Sequence, residues 1–68
     1  MKEVSGKKLA KAVAKNGWQL ARIKGSHNIF VKDGRSERIV IPVHGSRTLK
    51  TGLLKALMKI ADLTEDDL

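Results

Sequence analysis

The sequence predicts an α+β fold of order α-β-β-β-α, with two helices covering one face of a three-stranded antiparallel sheet. Two observations predict it. Apolar residues recur three and four apart near both ends of the chain, the period of a helix with one buried face. Between them, short alternating runs are broken by Gly25-Ser26 and Asp33-Gly34, which read as tight turns between strands. A length of 68 residues suits one domain, spanning 1–68, with a thin core. There is no cysteine, so neither a disulfide nor a thiolate metal site reinforces that core. A partner or an oligomer would therefore help to stabilise it.

Ser5 is placed to cap the first helix, with Val4 and Leu9 in the N′ and N4 positions of a hydrophobic staple. Leu9 and Val13 share a face with Ala10 and Ala14 beside them, while Lys7, Lys8, Lys11 and Lys15 form a solvated face that also suits phosphates. Asn16-Gly17 ends the helix. Trp18–Lys24 reads as a first strand. Strict alternation puts Trp18, Leu20, Arg22 and Lys24 on one side and Gln19, Ala21 and Ile23 on the other, and neither side is cleanly apolar. Trp18 reads as core.

Gly25-Ser26 then turns the chain into a second strand over Asn28–Lys32, with His27 at its head. Asp33-Gly34 is a two-residue hairpin signal leading to a third strand, Arg35–Val43. Pro42 cannot donate to a ladder, so it marks the end of that strand or an exposed edge. Residues 44–50 form a basic loop, and Thr51 is placed as the N-cap of a second helix. Leu53, Leu57, Ile60 and Ala61 make one stripe of that helix and Leu54 and Met58 an adjoining one, a width that belongs against a sheet. Thr64 can cap a final acidic turn.

The formal charge is +7, and its distribution is sharper than its sum. Asp62, Glu65, Asp66 and Asp67 all fall in the last seven residues, so residues 1–61 hold fourteen cations against three acids. A body this basic points to a polyanion held by phosphate neutralisation, with nucleic acid foremost. No apolar run approaches the roughly 18 residues of a membrane span, and there is no signal-peptide layout. The expectation is a soluble, cytoplasmic protein with no membrane partner.

His27 and His44 are the only histidines; no metal constellation, phosphate loop or Ser-His-Asp set can be assembled. What remains is His27 among cations: Arg22 and Lys24 before it, Lys32 and Arg35 after it. Imidazole exchanges protons near neutral pH. RNA supplies its own nucleophile, the 2′-hydroxyl beside each phosphate, so a cleaving protein needs only a base, an acid and cations. His27 suits the base or the acid, and Arg22, Lys24, Lys32 and Arg38 the cations. His44 suits the complementary acid or a phosphate contact. The residues alone leave three readings open: a nuclease, an RNA-binding module indifferent to His27, and a cationic surface for an acidic partner.

Gly17-Trp18, Arg22, Lys24-Gly25-Ser26-His27 and Phe30 together resemble the small toxins of the HicA family. Ile41-Pro42-Val43-His44 and Leu49-Lys50-Thr51-Gly52-Leu53-Leu54-Lys55 are similar to its second signature, as is the Ala61-Asp62-Leu63-Thr64 ending. The likeness spans nearly the whole chain. It implies a fold of the double-stranded-RNA-binding type and an mRNA endonuclease that needs no metal or other cofactor. It also implies a HicB-type antitoxin that covers the active site. The family's catalytic histidine falls on His27, with Gly25 and Ser26 forming its turn. Together the two readings nominate Arg22, Lys24, Gly25, Ser26, Lys32, Arg38 and His44 as RNA contacts. The chain departs from the family at Asp62, where glycine is frequent.

Overall fold

The computed structural model describes residues 3–68, and in it the first helix begins where its cap requires. Ser5 Oγ accepts the Lys8 N–H at 3.1 Å, and helix α1 runs over Gly6–Lys15. Val4 and Leu9, the two ends of the staple, are fully buried. Strands β1 (Gln19–Lys24), β2 (His27–Val31) and β3 (Ile39–Pro42) follow, then helix α2 (Thr51–Ala61) and a 3₁₀ turn at Glu65–Asp67. The strands form one antiparallel sheet in the order β1-β2-β3. The expected α-β-β-β-α order is therefore present.

Both helices pack on the sheet face that carries Phe30, Ile39 and Ile41, closing one core with Leu9, Val13, Trp18, Leu54, Leu57 and Met58. Fully burying one such side chain stabilises the fold by roughly 1.5–3 kcal/mol. The other face of the sheet is uncovered, as antiparallel sheets allow. Gly6 sets how closely α1 approaches β3, because a Cβ there would collide with the Pro42 carbonyl oxygen. No helix is long and apolar enough to cross a membrane.

Five expectations need correction. A bulge at Ala21 interrupts β1: Leu20 pairs with Phe30, yet Arg22 pairs with Ile29. The extra residue shifts the alternation, so Trp18 and Leu20 lie on the inner side while Arg22 and Lys24 lie on the outer one. Strand β2 starts at His27 and ends at Val31, one residue earlier at each end than expected. Asp33-Gly34 does make a turn, with the Arg35 N–H on the Lys32 carbonyl at 3.0 Å, but no two-residue hairpin. Residues 35–38 stay out of the ladder and β3 is only Ile39–Pro42. The cause is Arg35, whose guanidinium is drawn to the end of α2 (2.7 Å to Asp62 Oδ2, 2.8 Å to the Ile60 carbonyl) as well as to Glu37 at 3.0 Å.

At α2 the N-cap is Lys50, which makes no capping bond, and Thr51 is already helical. Packed on the sheet, α2 turns Leu54, Leu57, Met58 and Ala61 inward and leaves Leu53 exposed. Asp62 closes α2 with φ 58°, the left-handed conformation that glycine adopts at least cost, and its carboxylate holds Arg35 in return. The Thr64 cap is present, reciprocated by Asp67. Arg35 also lies 5.5 Å from the Trp18 ring centroid, and Lys32 Nζ lies 5.9 Å from it. The hydrogen bonds that Arg35 donates to Glu37, then to Asp62, raise its pKa, and the Arg35 bond holds the Glu37 carboxyl below its ordinary range.

Candidate active site

Lys24 and His27 are directly opposed across the β1–β2 pair, so only Gly25 and Ser26 separate them. Gly25 takes φ 60° while Ser26 keeps a negative φ, the pattern of a type II′ turn, whose twist matches that of the flanking strands. Nothing lies within 4 Å of where a Gly25 Cβ would stand, so glycine is required there by backbone conformation alone. The turn is held from the other side as well. Pro42 opposes His27 but has no N–H, and the next residue, Val43, donates to the Ser26 carbonyl at 2.7 Å. His27 thus sits at the first position of the central strand, fixed by pairing on both sides.

Residues opposite one another in a sheet share a face. The row Lys24, His27, Pro42 and the row Arg22, Ile29, Val40 therefore stand together on the uncovered side. His27 is exposed, Ile29 half-buried and Val40 41% exposed, which confirms that this side lacks a covering layer. The bulge is what brings Arg22 and Lys24 here, beside the imidazole. With an uninterrupted β1 they would have joined Trp18 on the core side. The result is one imidazole at the head of the central strand, two exposed cations beside it, and open access from solvent. That set can bind a phosphodiester and move a proton at it.

The other sequence candidates divide by place. Arg38 is exposed in the segment before β3, beyond the Phe30–Ile39 pair and so toward the end of the sheet away from His27. His44 follows β3 by two residues, at the same end of the sheet as His27, in a turn closed by the Arg47 N–H on its own carbonyl at 3.0 Å. Lys32 lies beyond the opposite end of β2, and Nζ donates to the Asn16 carbonyl at 2.9 Å. Arg35 is held at that far end too. The two cations that follow His27 in sequence are thus parted from it by the length of the strand, about 13 Å at 3.3 Å per residue.

Sequence reasoning missed a hollow of about 540 Å³ at the His27 end, between the sheet and α1, lined by Ser5, Lys7, Asn28, Val43, Gly45 and Ser46. Its one signal was a polar residue, Asn28, in an alternating position that the core would fill with an apolar one. Among the described residues, no group of three or more His, Cys, Asp or Glu side chains is placed to hold a metal ion. No curated protein matches the chain. A family model described as HicA toxin of bacterial toxin-antitoxin matches residues 6–63.

Proposed function

The chain belongs to the HicA toxin family of bacterial toxin–antitoxin systems, and on that footing we propose that it is a metal-independent endoribonuclease that cleaves mRNA in the cytoplasm. A HicB-type antitoxin neutralises it by covering His27. The observation that carries this reading is the row of Lys24 and His27, with Arg22 beside them, on the uncovered sheet face. The α-β-β-β-α order agrees with a fold of the double-stranded-RNA-binding type.

In this mechanism the RNA 2′-oxygen attacks the adjacent phosphorus as its proton passes to a base. A new P–O2′ bond forms, the P–O5′ bond breaks, and the leaving oxygen takes a proton from an acid. His27 serves as one of these two groups, with His44 or water as the other. Arg22 and Lys24 offset the charge that grows on the phosphoryl oxygens, while Arg38, toward the other end of the open face, holds a neighbouring phosphate. Ser26 and Gly25 act by forming the turn that places His27.

The test is cleavage of a single-stranded RNA in EDTA by the native protein and by His27→Ala, with binding followed in parallel. We expect the variant to lose at least about 100-fold in rate, the usual contribution of a positioned acid or base, at unchanged affinity. Tight binding without cleavage by either protein would overturn the nuclease reading in favour of a non-catalytic RNA-binding module.

A further inference from the structure

We propose that the hollow at the His27 end of the sheet is a subsite for the nucleotide next to the one cleaved. Asn28 is its polar contact, and Lys7, Lys8 and Lys11 hold the phosphates beyond it. The placement of the cleaved nucleotide rests on the ribonuclease reading above; the hollow's affinity for RNA does not.

Three observations converge. Asn28 directly follows His27 in β2 and, being paired with the fully buried Ile41, points to the helix side of the sheet. It is only half-buried there, and its amide makes no hydrogen bond to a described residue. A donor and an acceptor are thus free toward a hollow whose volume falls within the roughly 300–1,000 Å³ of small-ligand sites.

A second hollow, lined by Ser5, Lys7, Lys8 and Lys11, lies next to it, for Ser5 and Lys7 border both. A path therefore leads from beside His27 around the end of the sheet and onto α1.

The third observation is electrostatic. Lys7 and Lys8 stand in the first turn of α1, which has no acid, and cations there oppose the helix dipole. Among the described residues the ion pairs are those of Arg35 with Glu37 and Asp62, so Lys7 and Lys8 form none, although Lys8 and Lys11 share a hollow with Asp67 and Leu68. Charge arranged against helix stability and left unpaired suits an external polyanion.

The occupant is a single strand. The path turns from the open face of the sheet to its helix side across a molecule only 18 Å in its shortest extent. A stiff duplex cannot follow that bend.

The test uses a short single-stranded RNA with 2′-O-methyl groups, which cannot be cleaved by 2′-attack, titrated into the ¹⁵N-labelled native protein. The Asn28 side-chain amide and the backbone amides of Lys7, Gly45 and Ser46 should shift. Asn28→Ala should weaken binding roughly three- to ten-fold, the worth of one or two hydrogen bonds. The surface triple variant Lys7→Gln, Lys8→Gln, Lys11→Gln should lower the slope of log affinity against log salt by about 2, at about 0.7 per lost phosphate contact.

Shifts confined to the open sheet face would overturn the subsite. So would equal shifts with polyglutamate, since the hollow would then read charge alone, as a surface for an acidic protein would. Cleavage of ordinary RNA is measured alongside. If the native protein cleaves while the hollow stays silent, the subsite fails and the nuclease stands. If the hollow responds while nothing is cleaved, the hollow stands as an RNA-binding site and the nuclease, with the subsite's place beside a cleaved nucleotide, fails.

Discussion

Gly6 and Gly25 are both indispensable, for different physical reasons. Gly25 is needed for its φ, and space for a side chain is free around it. Gly6 is helical, where alanine would ordinarily be preferred, yet a methyl group would meet the backbone of Pro42. Gly6→Ala should therefore destabilise the protein by about 2–3 kcal/mol, as overpacking against an unyielding partner does, despite its better helix propensity. A urea titration checks this; unchanged stability would mean that α1 can lift from β3 freely. The displacement would also reach the site, because Pro42 is the cross-strand neighbour of His27. At this scale much was legible in the sequence. The Ser5 cap, the Val4–Leu9 staple and the Gly25-Ser26 turn are local signals, complete within a few residues. The need for glycine at position 6 was not, since the atom it avoids is supplied by a residue far along the chain.

Among the elements, α2 is the one whose start is poorly finished. Lys50 stands at its N-cap with no side-chain bond to the helix, and its charge opposes the dipole. Lys50→Asp should stabilise the fold by about 1 kcal/mol, which at this size raises Tm by about 4–8 °C. A thermal melt that fell instead would show that Lys50 holds the loop before α2 in some other way. The existence and order of all five main elements could be read from periodicity, while their limits failed wherever a distant partner decides them. The Ala21 bulge is invisible until β2 supplies the register, and β1 without it had no clean apolar face. Strand β3 lost its first residues to Arg35, whose partner Asp62 lies 27 positions away. Leu53 and Leu54 both fit a helical stripe, and only the packing of α2 against β3 selects between them. The site followed the same rule: Lys24 and His27 meet through a two-residue turn, whereas Lys32 and Arg35, also near His27 in sequence, lie at the other end of the strand.

On the scale of the whole molecule, charge and cohesion occupy opposite ends of the sheet. Among the described residues, the cations near His27 have no acidic partners, while the ion pairs of Arg35 close the end where β2 leaves the ladder. Raising salt should therefore affect RNA affinity far more than folding. Three phosphate contacts, from Arg22, Lys24 and Arg38, contribute a slope of about −2 and Lys7, Lys8 and Lys11 about −2 more, a loss of roughly 300-fold between 50 and 200 mM salt. Affinity that stayed flat across this range would refute the cationic surface. The same partition gives the protein an internal optical gauge. Its one tryptophan is 2% exposed and stacked by Lys32 and Arg35, at the far end of the strands from His27. Its emission should be blue-shifted in the native state, move red only on unfolding, and ignore an occupant of the site. Fluorescence can thus follow the melting of the fold in the presence of RNA or antitoxin without mistaking occupancy for structure.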